Sequence, residues 1–87
     1  MADDLKHIGI LLFPGVEELD AIGPWEVLSF WTKTWPEDGW RVYTFSQSGG
    51  EVLCAKGLTV HADYSDANRP GLDVLIYPGG QGTRPQL

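Results

Sequence analysis

The sequence predicts an open α/β sheet with parallel core strands, and three observations carry that prediction. Two short apolar runs, 8–13 (IGILLF) and 73–77 (DVLIY), are each stopped by Pro-Gly, as strands buried on both faces of a parallel sheet are. Between Glu17 and Trp35 the apolar residues Leu19, Ile22, Trp25, Leu28, Trp31 and Trp35 recur at helical spacing. The stretch 40–45 (WRVYTF) alternates and is rich in β-formers.

Taken in order, the first strand is 8–13. The helix comes next, with Glu17, Glu18 and Asp20 in its first turn, where unpaired N–H groups and the dipole favour acids. Gly23-Pro24 either kinks this helix or restarts it, because Pro removes one hydrogen bond. A crossover helix makes strand 40–45 parallel to the first. Residues 51–54 and 58–61, joined around Lys56-Gly57, read as a small hairpin at a sheet edge. The polar stretch 63–70 has room for one helical turn, and 73–77 is the last strand.

This is the front half of an open α/β sheet. Ten residues remain after Tyr77, too few for a covering helix and a further strand. With strand 73–77 beside strand 8–13, one face of each would lack helices. The chain therefore reads as the N-terminal part, 1–87, of a single larger domain truncated after its third core strand.

Composition narrows the function. The 87 residues carry a formal charge of −6 without any Lys/Arg cluster, which gives no footprint for a phosphate backbone or an anionic membrane. Neither nucleic acid nor membrane is an expected partner of this segment. The opening MADDLKH has acids where a signal peptide has bases, and the apolar run behind it is too short to span a bilayer. A lone cysteine, Cys54, forms no internal disulfide and fits a reducing compartment, so the cytoplasm is the expected location.

Ligands of open parallel sheets bind outside the carboxyl ends of the strands, where the chain switches direction. Two loops meet that condition: 13–20, with Glu17, Glu18 and Asp20, and 78–84 (PGGQGTR). Adjacent strands would bring them to one crevice. The backbone of Gly79 and Gly80 can approach a ligand oxygen closely and stabilise developing negative charge; the alternative is a tight turn after a buried strand. The spacing matches neither a dinucleotide fingerprint nor a P-loop, so no nucleotide cofactor is expected. Glu17 and Glu18 read as solvated first-turn acids. Asp20, partly buried at the strand end, could carry a raised pKa and move a proton. Cys54 lies in the hairpin, away from any helix N-terminus that would activate it. His7 and His61 lack partners at metal spacing, so no metal is expected. Trp25, Trp31, Trp35 and Trp40 read as packing surface, or as a partner interface where cover is missing.

The segments 10–28 (ILLFPGVEELDAIGPWEVL) and 73–84 (DVLIYPGGQGTR), with the hairpin VLCAKGLTV between them, resemble the DJ-1/PfpI superfamily, and within it the isonitrile hydratase-like branch. The likeness covers nearly the whole chain. It implies a flavodoxin-like, class I glutamine amidotransferase-like sandwich. It also implies a site in which a cysteine on a strand-to-helix elbow attacks, an acid from the first helix assists, and a Gly-Gly backbone supplies oxyanion contacts. By that resemblance the acid is Asp20 and the backbone is Gly79 and Gly80. Asp within L-D-x-x-G-P resembles the hydratase branch more than DJ-1 itself, where Glu is usual.

The same resemblance puts the nucleophile elbow after the Gly-Gly loop, beyond Leu87, and gives Cys54 a place near a dimer contact instead. The expected function is that of the N-terminal piece of a hydratase turning a small-molecule isonitrile into an N-substituted formamide, inactive alone, in a homodimer. Two alternatives stand beside it: the sensor domain of an AraC-type transcription regulator, and a protease, chaperone or deglycase relative of DJ-1.

Overall fold

A computed structural model describes residues 5–80 of the chain. Its strands are β1 (Lys6–Leu11), β2 (Trp40–Ser46), β3 (Gly50–Leu53), β4 (Thr59–Ala62), β5 (Tyr64–Ser65) and β6 (Val74–Ile76). One α-helix, α1 (Glu18–Thr34), and a 3-10 turn, Pro36–Asp38, connect β1 to β2. The main sheet has the order β5-β2-β1-β6 and all its pairings are parallel. β1 aligns with β2 from Lys6 opposite Trp40 to Leu11 opposite Phe45, and with β6 from Ile8 opposite Val74 to Ile10 opposite Ile76.

The open parallel α/β class expected from the two Pro-Gly-terminated runs is therefore the one observed. The strand order reverses at β1, since β2 lies on one side of it and β6 on the other. The loops leaving β1 and β6 meet at that reversal, where an open sheet leaves a crevice for ligands.

The hairpin is a correction. β3 and β4 pair with each other as a separate antiparallel two-stranded sheet instead of extending the edge of the main one. Its turn is bonded to the loop after β1: the Gly15 N–H donates to the Leu53 carbonyl at 2.9 Å and the Ala55 N–H to the Val16 carbonyl at 2.8 Å. The edge position falls to β5, inside the stretch expected to hold a helical turn. After β5 the chain turns at 66–68, where the Asn68 side-chain carbonyl accepts from the Ser65 amide at 2.7 Å. An Asn bonding back to a neighbouring peptide favours a turn over a helix.

α1 runs unbroken through Pro24, so Gly23-Pro24 does not restart it. Pro24 removes only the intrahelical partner of the Asp20 carbonyl, which lies on an exposed residue that water can reach. The buried line of the helix differs from the one its large apolar residues suggest. Ala21, Ser29 and Thr32 are buried, whereas Leu19 is 75% exposed and Trp35 46%. Small residues on the inner line bring the helix close to the sheet, with Ile22, Trp25, Leu28 and Trp31 half-buried around them.

The core gathers Ile10, Leu12, Val16, Ala21, Val52, Cys54 and Ala62 from β1, its loop, α1 and the hairpin. Ile10, Leu12 and Val16 are the largest fully buried side chains. Removing each from water contributes about 1.5–3 kcal/mol. Two of the three belong to the segment that leads into the crevice, so the same burial that holds the fold fixes the loop. The expected bare surface occurs at β6, where Val74 and Leu75 are exposed. At β1, too, no helix among the described residues covers Gly9; the side chains of Leu72, Phe45 and Tyr43 lie over it instead.

Candidate functional site

The loop after β1 lies between the hairpin turn on one side and the loop after β6 on the other. On the β6 side, the Glu17 N–H donates to the Gly79 carbonyl at 2.9 Å, and Val16 forms an isolated antiparallel bridge with Gly80. Phe13 and Tyr77 meet edge to face with centroids 5.8 Å apart. Pro78, next to Tyr77, is buried, which anchors the turn that presents Gly79.

These contacts bring Asp20 and the Gly-Gly pair together. A Cβ built on Gly79 would lie 3.0 Å from Asp20 Oδ2, so the carboxylate rests against the bare Gly79 backbone. Gly80 approaches still closer to the β1 loop. A Cβ there would meet the Gly15 carbonyl oxygen at 2.5 Å and the Glu17 nitrogen at 2.7 Å. Only glycine fits such an approach of backbone to backbone. The part of the Gly-rich loop beyond Gly80, from Gln81 to Arg84, lies outside the described residues.

One expectation about the acid needs correcting: Asp20 is exposed, not partly buried. Ala21 takes the inward position in that turn, which leaves the preceding residue at the crevice rim.

Glu17 and Glu18 are not the solvated pair their helix position suggested. Glu18 Oε2 accepts the Lys56 N–H at 2.8 Å and the Leu58 N–H at 3.2 Å, tying the first turn of α1 to the hairpin turn. Its other oxygen, Oε1, is buried without a hydrogen-bond partner. Burial opposes the charge of Glu18, but peptide N–H donors of Glu18 itself, Leu58 and Lys56 outweigh it and hold the carboxyl below its ordinary value. Glu17 forms an ion pair with the Lys56 ammonium. That hydrogen bond, with the charges of Glu17, Glu18 and Asp20 behind it, pushes Lys56 above its ordinary value. Neither Lys56 nor the Glu18 clamp was visible in the sequence. The partners lie 38 to 40 positions apart, and an acid in a first helical turn already has a local explanation.

Cys54 is buried, and its thiol points no nearer to a partner than the Val52 carbonyl oxygen at 3.9 Å. Burial, then the charges of Glu18 and Glu17, push its pKa up, which is opposite to what a nucleophile needs. No group of His, Cys, Asp and Glu among the described residues could hold a metal ion. His7 stacks at an angle near Tyr43, and His61 is exposed opposite Glu51 in the hairpin. Trp31 donates its indole N–H to Asp38 at 2.9 Å and lies near Trp40, which supports the packing role read for both. A cavity of about 390 Å³ lies beside Leu12, Phe13 and Ser46, and another of about 200 Å³ beside Trp25, Thr44 and Asp63; neither is lined by Asp20 or Gly79. No helix among the described residues is long and apolar enough to cross a membrane.

Fold and site together define an open α/β domain with a helix-borne acid and a Gly-Gly backbone meeting at the strand ends. The DJ-1/PfpI family model matches residues 6–87, and the chain belongs to that family. It is 33% identical over 81 residues to an isonitrile hydratase of Pseudomonas putida, an alignment covering 93% of this chain and 33% of that protein. Among solved structures it is similar to a DJ-1 superfamily protein from Agrobacterium tumefaciens, with a TM-score of 0.64, 20% identity, and coverage of 93% of this chain and 41% of that one. An AraC family transcriptional regulator from Pseudomonas putida gives a TM-score of 0.67 at 24% identity, covering 86% of this chain and 47% of that one. At such identities the structural likeness concerns the fold alone. The chain thus spans a third of the hydratase and less than half of either solved protein.

Proposed function

We propose that this chain supplies the acid and the backbone amides of an isonitrile hydratase site whose thiolate comes from outside these 87 residues. The observation that carries the reading is the contact of the Asp20 carboxylate with Gly79, at the strand ends where the family resemblance calls for an acid and a Gly-Gly backbone. In the proposed reaction a thiolate attacks the terminal carbon of the isonitrile and a C–S bond forms. Asp20 relays the proton that this carbon takes up. Water then adds to the same carbon, the C–S bond breaks, the thiolate is regenerated, and an N-substituted formamide leaves. The Gly79 and Gly80 backbone stabilises negative charge as it develops on the oxygen delivered by water.

Since the one cysteine of the chain is buried in the hairpin with its thiol disfavouring ionisation, Cys54 is not the proposed nucleophile. The same fact favours a second reading, a sensor domain of an AraC-type regulator: the crevice could hold a ligand without consuming it.

The test compares the 87-residue chain with the native product isolated from its own host, each incubated with an alkyl isonitrile while formamide is quantified. The expected result is turnover only by a native product that carries a further cysteine, and loss of that turnover in Asp20→Ala. Formamide production by the 87-residue chain overturns the proposal. Binding without turnover by the native product overturns it in favour of the sensor.

A further inference from the structure

The segment 15–18 is hydrogen-bonded on both flanks. Toward β6 it holds Gly79 and Gly80 through Glu17 and Val16. Toward the hairpin it is held by two backbone bonds, through Gly15 and Val16, and by the Glu18 carboxylate on the Lys56 and Leu58 amides. Of these links only the last is a side chain reaching across the fold from the helix itself. Asp20 lies half a turn further along the same helix.

We propose that Glu18 is a positioning residue for Asp20, locking the first turn of α1 to the hairpin so that the Asp20 carboxylate stays against Gly79. The inference rests on the site reading above and adds to it the part that sets the site's geometry. The chemistry suits a lock. One carboxylate oxygen accepts two peptide N–H groups, and charge-assisted bonds of this kind are about twice as strong as neutral ones. The other oxygen, Oε1, is buried without a partner, so the side chain has given up solvent to make the clamp. A solvated first-turn acid, helped only by the helix dipole, would not bury that oxygen. Lys56 adds a second tie through Glu17, but it does so from an exposed ammonium and is the weaker of the two.

Positional control matters because a reacting group displaced by about 1 Å can lose roughly 10²-fold in rate. A lock on the turn that carries the acid acts on that quantity without touching substrate.

The test is nuclear magnetic resonance on the 87-residue chain. At neutral pH the nuclear Overhauser contact between the Asp20 β-protons and the Gly79 α-protons is followed, with amide protection at Ile10 reporting the fold. In the wild type the contact is present. Glu18→Gln keeps it, because its side-chain carbonyl can accept both N–H groups. Glu18→Ala loses most of it while Ile10 stays protected. Should Glu18→Ala lose the Ile10 protection, Glu18→Asp decides. It keeps the charge at the helix start but is one methylene too short for the hairpin, and the expected result is again a lost contact. A full contact in Glu18→Ala or in Glu18→Asp overturns the positioning role and leaves the site reading intact. A missing contact in the folded wild type overturns the positioning role too, and with it the site reading.

Discussion

The Asp20 carboxylate lies against Gly79, with Oδ2 3.0 Å from where a side chain on that glycine would begin. Fifty-nine positions of sequence separate the two, and the parallel pairing of β1 with β6 closes that distance. A site made this way depends on backbone approach as much as on the acid.

Substituting the acid should therefore separate function from folding. Asp20 is exposed. Asp20→Asn keeps the shape of the side chain and should change stability by no more than about 0.5 kcal/mol, as surface substitutions do. In the native product its isonitrile turnover should fall by about 10²–10⁴-fold, the share of a positioned proton-transfer group. Urea unfolding beside the formamide assay checks both.

The two glycines should respond differently to alanine. In Gly80→Ala the new methyl meets the Gly15 carbonyl oxygen and the Glu17 nitrogen, backbone atoms that cannot swing aside. The expected loss is about 1–3 kcal/mol, read from urea midpoints. In Gly79→Ala the methyl meets only the mobile end of Asp20, so stability should hold while turnover falls.

Acid should loosen the helix–hairpin contact. The Glu18 carboxyl is held below its ordinary value of 4.5, so its folded pKa lies under its unfolded one. A group shifted this way contributes stability that is complete above the unfolded value and is lost as pH falls through the folded value. Amide exchange at Lys56 and Leu58 should therefore quicken, relative to Ile10, as pH drops below 4.5, and Glu18→Gln should remove that dependence. Equal acceleration at all three amides would contradict this assignment.

Cys54 should be inert in the fold. Its thiol is buried and its pKa is pushed up, so alkylation by iodoacetamide near neutral pH should be slow until urea unfolds the chain. Cys54→Ala should leave turnover of the native product unchanged.

Much of this was legible in the residues. The runs 8–13 and 73–77 announce parallel strands because each is mostly apolar and stopped by Pro-Gly, and their adjacency puts Asp20 and Gly79 at one rim; the burial expected of both holds for the centre of β1 but not for β6, where Val74 and Leu75 stay exposed. The helix face was misread because burial went with the small residues Ala21, Ser29 and Thr32, while bulky Leu19 and Trp35 stayed exposed. Periodicity of large apolar residues locates a helix but not the line on which it can approach a sheet most closely. The hairpin's separateness and the Glu18 clamp were hidden for another reason: both depend on peptide groups of residues 53–58, and backbone donors leave no mark in a sequence.

The convergence of Asp20 and Gly79 is the claim on which the functional reading stands, and a nuclear Overhauser measurement between the Gly79 α-protons and the Asp20 β-protons tests it most directly. A clear cross-peak in the native chain, absent when urea unfolds it, is the predicted result. No cross-peak in a folded chain, with the Ile10–Ile76 pairing of β1 and β6 still detectable, would contradict it.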